Sequence, residues 1–392
     1  MIKLSTRNIF SYIGLACILF YYQITDTVLS FPYAMAILLL GLFFFAFQYI
    51  ITVKYKIKTL AIFAGCFLFL AYQYKMSNDS RLMVYVFALL GLNKIPIRDI
   101  LKFILYEKVI LIVFIIAVTA LGVGFVPRTI EYTLGFIHGN LFMISAIEIF
   151  LLYVCLYWEK TGKIFNFVTA IMIVLTYVFS HSRTGLVLFF LSFFLFLHIK
   201  YGKTKHLKYL DLAAVVTPSI LFVVSITLPY LMSINWFLSR PTLQKYVAKM
   251  DALLSSRLTL GAIRLKYTTV HLFHTTTDAA QMHKFSYTVV DSGYVQLLLV
   301  FGILGSILFL CYYTTIIYKI CKMVHLGKEK YIYLLSITIM CLNAFTENSL
   351  CSLKYNFTML FIMILSEKML AKNILETFRK GNVQGFLRNF AK

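Results

Sequence analysis

The chain has 392 residues, of which 61% are hydrophobic and only 13% charged, and it carries a formal net charge of +22. Soluble domains are about half apolar and about a quarter charged, so this composition excludes a soluble globular protein and predicts a polytopic membrane protein. The positive charge does not indicate a nucleic-acid partner, because most basic residues lie in short clusters between hydrophobic segments, where they orient a chain in the bilayer.

Twelve hydrophobic segments follow one another along the chain. Backbone inside hydrocarbon must satisfy its own hydrogen bonds, so we predict that each segment is a transmembrane helix and that the fold is all-α. The predicted limits are 8–25, 32–53, 59–74, 81–93, 103–122, 139–157, 164–181, 184–200, 210–231, 290–312, 331–350 and 355–371.

These segments divide the chain into four parts. Residues 1–230 hold the first nine predicted helices, 231–290 form a large basic loop, 291–371 hold helices 10 to 12, and 372–392 form a basic tail. If the N-terminus is cytoplasmic, every second loop carries a basic cluster, as membrane orientation requires. Both termini are therefore predicted to be cytoplasmic and the large loop external.

The external loop is the exception to this charge pattern. Its cations either belong to a solvated, translocated segment or are kept outside to bind an anion, and we favour the anion. They are Arg240, Lys245, Lys249, Arg257, Arg264, Lys266 and Lys284.

The sequence Ser180-His181-Ser182-Arg183 lies between two apolar segments of about sixteen residues each. At about 1.5 Å per residue each segment reaches only about 24 Å, less than a hydrocarbon core of about 30 Å. The tip between them is therefore predicted to lie below the membrane surface, where Arg183 and His181 need a polar cavity or a partner. The alternative is that Arg183 snorkels from a helix end.

A helix is predicted to begin after Ser255 and Ser256, because serines before an apolar run are typical N-caps. In such a helix Arg257, Gly261 and Arg264 share one face, with the guanidiniums on either side of a glycine gap. Their spacing of about 10 Å along the axis suits the oxygens of a pyrophosphate, which arginine binds bidentately. The alternative is an amphipathic loop helix with exposed arginines.

Asp291 stands where the basic loop meets the tenth hydrophobic segment, and Ser292, Gly293 and Tyr294 follow it. A partly desolvated carboxylate near cations can act as a general base. The alternative role of Asp291 is to cap the helix that follows.

Further polar residues lie at or inside predicted helices. His138 and Asn140 flank Gly139 at the start of the sixth segment, where a lone histidine is either structural or part of a site. Glu148 is deeper in this segment, and an intramembrane carboxylate is a functional candidate that requires a basic partner. Glu347 is similar but shallower.

The sequence predicts no metal site and no cofactor. His271, His274 and His283 lie in the loop, but a zinc site requires further ligands at tighter spacing. Asp26 stands alone, without the second acidic residue that completes a metal site in many lipid-linked sugar transferases. The chain shows no P-loop, G-x-G-x-x-G or H-E-x-x-H pattern.

These residues give the chain a resemblance to the Wzy-type polysaccharide polymerases and, more broadly, to the O-antigen ligase/polymerase superfamily. Ser180-His181-Ser182-Arg183-Thr184-Gly185 resembles the signature Ser-x-Ser-Arg-x-Gly, and His138-Gly139-Asn140 resembles a His-Pro-Asn element of capsular polymerases. Asp291-Ser292, nine residues and then Gly302-Ile303-Leu304-Gly305 is similar to the ligase pattern His-(Asn/Ser/Gln)-x9-Gly-x-x-Gly. The predicted topology is similar too.

Two positions depart from the family patterns. Asp291 replaces the histidine that is the proposed base of the ligases, which favours a polymerase. Gly139 replaces the proline of the His-Pro-Asn element.

The resemblance implies a GT-C-like fold in the bacterial cytoplasmic (inner) membrane and a metal-independent, inverting glycosyltransferase. Its donor would be a glycan on undecaprenyl pyrophosphate, and its acceptor a lipid-linked oligosaccharide repeat unit. A chain-length regulator would be a further partner. The alternatives are an O-antigen-type ligase and a lipid-linked oligosaccharide flippase, although a flippase would hold its charges between two similar halves.

The family also implies roles for the candidate residues. Arg183 and Arg257, with Arg264, would hold the pyrophosphate and stabilise its charge as the bond breaks. Asp291 would be the general base. Substrate would be bound by Arg264, His138, Asn140, His181, Ser182 and Tyr294.

Overall fold

Of the residues that the structure, a computed structural model, describes, 81% are helical. It describes residues 8–27, 29–52, 57–77, 79–122, 134–203, 207–233, 240–254, 256–278, 291–323 and 326–364. Seven of the described helices are long and apolar enough to cross a membrane. The protein is therefore a mostly helical, multi-pass membrane protein. The seven helices are Ala34–Thr52, Ile97–Ala120, Gly139–Lys160, Lys163–Ser180, Arg183–Tyr201, Lys208–Ser233 and Gly293–Cys321.

The described residues before the basic loop form nine α-helices, and a 3-10 turn (Trp158–Lys160) extends the sixth. The nine are α1 (Ile9–Thr25), α2 (Ala34–Thr52), α3 (Ile57–Ser77), α4 (Arg81–Leu92), α5 (Ile97–Ala120), α6 (Gly139–Tyr157), α7 (Lys163–Ser180), α8 (Arg183–Tyr201) and α9 (Lys208–Ser233).

The described part of the basic loop is folded. It contains two helices and a hairpin in which Thr268 pairs with Thr277 and Val270 pairs with Thr275. The elements from the loop onward are α10 (Pro241–Leu253), α11 (Arg257–Lys266), β1 (Thr268–Val270), β2 (Thr275–Thr277), α12 (Gly293–Cys321), α13 (Glu329–Thr346) and a 3-10 helix (Phe357–Phe361).

Eleven of the twelve predicted segments coincide with described helices, namely α1 to α9, α12 and α13. α5 begins at Ile97, earlier than the predicted start at 103, and Asp99 in its first turn complements the helix dipole. The twelfth segment, 355–371, begins with the 3-10 helix, and its residues from 365 onward lie outside the described residues. The basic tail, 372–392, also lies outside them.

The core lies where α13 packs against α6, α8, α9 and α12. α13 is buried over most of its length, and all residues in 349–361 are buried as well. Most of this stretch is not α-helical, and irregular backbone is tolerated in a membrane protein only where protein covers it and supplies its hydrogen bonds. Asn356 supplies one such bond, from its side-chain amide to the Leu350 carbonyl at 2.8 Å.

α12 is broken at Gly302. Its φ of 65° and ψ of −168° lie in a region that is essentially restricted to glycine. The break leaves backbone groups on both sides of Gly302 without hydrogen-bond partners in the helix. The loop hairpin supplies the missing partners. The Ile303 N–H donates to the His271 carbonyl across 3.1 Å, and Thr275 Oγ1 donates to the Leu299 carbonyl across 2.6 Å.

The hairpin turn also lies directly against the bare backbone of Gly302. A Cβ at this position would be 2.7 Å from the His274 nitrogen and 2.8 Å from the Leu272 carbonyl carbon. The first glycine of the Gly-x-x-Gly element is therefore required by the docking of the loop onto α12.

Candidate functional site

A polar cavity of about 500 Å³ lies among the ends of several helices. Its walls come from the turn after α1, the first turn of α6, the end of α7, the residue before the α12 cap and the chain after α13. The lining residues are Asp26, His138, Gly139, Asn140, Leu141, Ile144, Ser180, Asp291, Glu347, Asn348, Ser349 and Tyr355.

α6 begins at Gly139, directly after His138. A Cβ on Gly139 would overlap the carbonyl of Ser180 at the end of α7. Glycine thus lets the start of α6 touch the end of α7, which brings His138 and Asn140 beside Ser180 in the cavity. The same contact excludes proline at this position, so the departure from the His-Pro-Asn element has a structural cause.

The motif around Arg183 forms the turn between α7 and α8. His181 adopts a left-handed φ of 51°, and Ser180 Oγ accepts a hydrogen bond from the Ser182 N–H across 3.2 Å. Ser182 is buried and caps α8, because its Oγ accepts from the Gly185 N–H across 3.3 Å. The serines and the glycine therefore build the turn.

The structure leaves His181 and Arg183 exposed at this turn. Among the described residues, Arg183 has no ion-pair partner, and of this motif only Ser180 lines the cavity. Arg183 is the first residue of α8, three positions after Ser180. Its place in the chain therefore puts Arg183 near the cavity, as a guanidinium that forms no ion pair with any described carboxylate.

Asp291 and Arg257 come together at the cavity. Asp291 lines it, and Ser292, not Asp291, occupies the N-cap position of α12. Arg257 is the first residue of α11, and its side chain is only 7% exposed. Its Nε lies 3.8 Å from Asp291 Oδ2. The predicted proximity of an arginine and the candidate base is therefore present.

Glu347, the C-cap residue of α13, lies with Asp291 and Arg257. The Arg257 guanidinium binds Glu347 Oε1, and Asn140 Nδ2 donates to the same oxygen across 2.9 Å. The sequence indicates a functional candidate at Glu347 but does not connect it with Arg257 or Asp291. The sequence feature that points to Glu347 is its place at a helix end in a membrane protein, where a carboxylate requires a cation.

The two carboxyl groups have altered acidity. Burial raises the pKa of Glu347 to about 7; Arg257 and Asn140 oppose this rise, and Asp291 adds to it. Burial also raises the pKa of Asp291, against the lowering effect of Arg257 and His138. The Glu347 carboxyl can therefore exchange a proton near neutral pH.

α11 begins at Arg257, as predicted, but not by the predicted cap. Ser256 precedes the helix and makes no side-chain capping bond, while Ser255 lies outside the described residues. The Asp251 carboxylate takes the capping role instead, accepting from the N–H groups of Leu258 at 2.8 Å and Thr259 at 3.3 Å. A carboxylate at a helix N-terminus is also favoured by the dipole.

The predicted open gap between two arginines on α11 is absent from the described structure. A Cβ on Gly261 would lie 3.1 Å from the ring of Pro229, so α9 occupies the space beside the glycine. Arg257 is held by carboxylates, and the partly buried Arg264 is not among the cavity-lining residues that the structure describes. The two guanidiniums do not form a free cradle for a pyrophosphate.

The sequence predicts a substrate contact for Tyr294, and the structure gives this residue a different environment. Tyr294 is completely buried, and its hydroxyl donates to the Cys341 carbonyl across 3.2 Å. It packs α12 against α13 in the core.

The chain after α13 is held by charged residues around the cavity. Asp26, which lines the cavity, is bound by the Lys354 ammonium and by the Tyr355 hydroxyl. Arg81 Nη1 donates to Asn348 Oδ1 across 2.5 Å. Asn348 and Tyr355 also line the cavity, so these contacts fix the shape of one of its walls.

Lys108 of α5 is the basic partner that Glu148 of α6 requires. Its Nζ lies 2.7 Å from Glu148 Oε2, and the two side chains are 2% and 0% exposed. Lys108 Nζ also donates to the Lys354 carbonyl across 2.5 Å. This intramembrane ion pair therefore ties α5 and α6 to the chain that forms the cavity wall.

The residues that the structure describes contain no group of three or more His, Cys, Asp or Glu able to hold a metal ion. The rings of His271 and His274 stack with centroids 4.6 Å apart, and His271 Nε2 lies 3.0 Å from Thr276 Oγ1. His283 lies outside the described residues.

An apolar groove of about 400 Å³ runs along α5, α6 and α7. Phe142 lines the groove two residues after Asn140, and Thr176 lines it one helical turn before Ser180. The groove therefore adjoins the polar cavity along α6 and α7. Met172, another lining residue, is 44% exposed on the outside of the bundle, so the groove is open to lipid.

This geometry suits a sugar and a proton transfer. Carboxylate, amide and hydroxyl groups are the partners that sugar hydroxyls bind, and Asp291 or Glu347 can accept a proton. Among the described lining residues none is lysine or arginine. The cavity thus has the chemistry of a glycan site more than that of a phosphate site.

No protein-family model, curated protein or solved structure matches this chain. The family resemblance of its motifs therefore stays a prediction.

Proposed function

We propose that this protein is a membrane glycosyltransferase that polymerises undecaprenyl-pyrophosphate-linked repeat units on the outer face of the bacterial cytoplasmic membrane. One observation carries the proposal. Asp291 and Glu347, which share Arg257, face a polar cavity that adjoins an apolar groove. A lipid-linked sugar requires both environments, since its sugars are polar and its carrier is a hydrocarbon chain.

Asp291 is the better candidate for the general base. Glu347 Oε1 already accepts bonds from Arg257 and Asn140, so this oxygen holds two other groups of the site in position. The Asp291 side chain is 29% exposed and lies 3.8 Å from Arg257. Arg257 favours the ionised carboxylate, and in this form Asp291 can accept the proton of an incoming hydroxyl.

In the proposed step, a hydroxyl oxygen of the acceptor repeat unit attacks the anomeric carbon of the donor glycan. The hydroxyl proton passes to Asp291, the new glycosidic bond forms, and the bond to the pyrophosphate oxygen breaks. Undecaprenyl pyrophosphate leaves with the electron pair. Arg183, exposed beside the cavity, is the cation proposed to meet this leaving group.

His138 and Asn140 have supporting roles in this proposal. Both line the cavity, and Asn140 fixes Glu347 through its amide. His138 is exposed to the cavity and lies close enough to Asp291 to lower the pKa of that carboxyl. We assign to it the orientation of the acceptor sugar.

Deletion of the gene, followed by analysis of surface and lipid-linked glycan, tests the proposal. A lost polymerase leaves single repeat units on the cell surface. Repeat units trapped on the inner leaflet would indicate a flippase, and polymer that accumulates on its lipid carrier would indicate a ligase. Either of these outcomes, or an unchanged glycan, rejects the polymerase.

A further inference from the structure

α10 presents an apolar stripe to the outside of the protein. Leu243, Tyr246 and Met250 are spaced three and four residues apart, so they share one helix face. They are 37%, 64% and 46% exposed. The neighbouring Val247 is buried and packs with Leu258 of α11. One edge of the apolar face of α10 therefore contacts protein, and the other edge is exposed in the part of the chain that the structure describes.

α10 packs against the end of the spanning helix α9. Leu228 and Met232, near the end of α9, pack on the cluster formed by Val247 of α10 and Leu258 of α11. Val223 and Tyr230 on the same spanning helix are 59% and 57% exposed. Because α10 packs beside the end of a membrane-spanning helix, we expect it near the depth where hydrocarbon gives way to lipid headgroups.

Two lysines lie beside the stripe. Lys245 and Lys249 are one helical turn apart and both exposed. Lysine stems can run along apolar surface while the ammonium groups reach headgroup phosphates. An apolar stripe next to a lysine face is typical of a helix that lies in the membrane interface.

We propose that α10 lies flat in the interface of the bilayer. Leu243, Tyr246 and Met250 enter the boundary of the acyl chains, and Lys245 and Lys249 bind the phosphates of anionic headgroups. The partner of this surface is the lipid bilayer itself. The proposal does not depend on the enzymatic function proposed above.

The membrane contact of α10 has a consequence for the polar cavity. Asp251, in the last turn of α10, caps α11 through the N–H groups of Leu258 and Thr259. α11 begins with Arg257, which binds Glu347. Lipid that fixes α10 therefore also fixes the helix that carries this arginine.

Tryptophan fluorescence measures the depth of α10 directly. The full chain carries Tyr246→Trp together with Trp158→Phe and Trp236→Phe, so that it holds a single tryptophan. The protein is reconstituted in vesicles of phosphatidylethanolamine and phosphatidylglycerol. We expect strong quenching by lipids brominated on the upper part of the acyl chain, because an interfacial helix lies about 5–10 Å into this boundary. Ala248→Trp, exposed on the lysine side, is the control and should be quenched less.

The proposal is overturned if the Tyr246→Trp variant emits as tryptophan does in water and is not quenched by brominated lipid. This result would indicate that the apolar stripe binds a protein partner. A second pair of variants tests the charges. Lys245→Ser with Lys249→Ser should reduce the dependence of the quenching on phosphatidylglycerol content. If quenching depends on anionic lipid to the same extent in the chain with both lysines and in the double serine variant, Lys245 and Lys249 do not have the proposed role.

Discussion

Asn140 Nδ2 donates a hydrogen bond of 2.9 Å to Glu347 Oε1, across a separation of 207 positions in the chain. The bond joins the first turn of α6 to the end of α13. Arg257 from the basic loop binds the same carboxylate oxygen. Three distant parts of the chain therefore meet at Glu347, beside Asp291.

Stability should fall as pH rises toward 7 because of Glu347. Burial raises its pKa to about 7, against about 4.3 in an unfolded chain. Between these values the folded protein binds the proton more tightly than the unfolded chain, so stability falls from about pH 4 to about pH 7 and then levels off. The loss is of the order of 3 kcal/mol.

Melting temperature against pH, measured on purified protein in detergent, checks this expectation. Glu347→Gln cannot titrate and should remove that part of the slope. If the curves of melting temperature against pH are parallel for Glu347→Gln and the wild type, Glu347 does not cause the fall in stability.

Asn140→Ala should move the same titration to higher pH. The amide hydrogen bond lowers the pKa of Glu347, and bonds to charged groups contribute about 1.5–3 kcal/mol, which corresponds to a shift of about one unit or more. The falling part of the stability curve should therefore extend further toward alkaline pH. Asn166→Ala removes an exposed bond to Tyr201 and serves as the control, with no shift expected.

Lys108 and Glu148 should show strong coupling. Each single change, Lys108→Met or Glu148→Leu, leaves one buried charge without its partner and should cost about 3–5 kcal/mol. The double variant removes both charges and should recover most of this loss. Thermal melting of the four proteins forms the double-mutant cycle.

The partly exposed pair of Lys102 and Asp99, 3.4 Å apart, is the control for this cycle. Asp99→Asn should change stability by at most about 1 kcal/mol. Additive losses in the cycle of Lys108 and Glu148 would mean that the buried pair does not act as a unit.

Gly302→Ala should release the loop hairpin from α12. A side chain at this left-handed position is strained, and its Cβ would meet the backbone of His274 at 2.7 Å. We expect faster proteolysis within the hairpin in the purified variant. Gly65→Ala, where a Cβ would meet nothing within 4 Å, should leave the cleavage pattern unchanged. Equal cleavage of both variants would mean that Gly302 is not needed for docking.

Seven of the described helices are long and apolar enough to cross a membrane, so the number of twelve spans stays a prediction. The sequence predicts the positions of eleven described helices, because a hydrophobic run of this length indicates a helix in a membrane protein. It also predicts the start of α11 at Arg257 and the meeting of that residue with Asp291. The sequence does not predict the cap of α11. Asp251 lies several residues before the helix, and only the folded chain brings its carboxylate to the Leu258 N–H.

The cavity itself depends on long-range contacts that a single sequence does not show. Glu347 and Asp26 each look isolated along the chain, and both line the cavity with Asp291. The glycines are also ambiguous in sequence. Gly261 suggests a gap for a ligand, yet Pro229 occupies it, while Gly302 marks the docking of a loop.

Glycan chain length in cells that carry Asp291→Asn tests the central claim most directly. The account predicts normal amounts of protein in the membrane and surface glycan limited to a single repeat unit, because the hydroxyl of the acceptor has lost its base. Asp99→Asn, a matched change at a residue that is not among the described lining residues of the cavity, should give full-length polymer. Full-length polymer from Asp291→Asn would contradict the assignment of this cavity as the site of glycan extension.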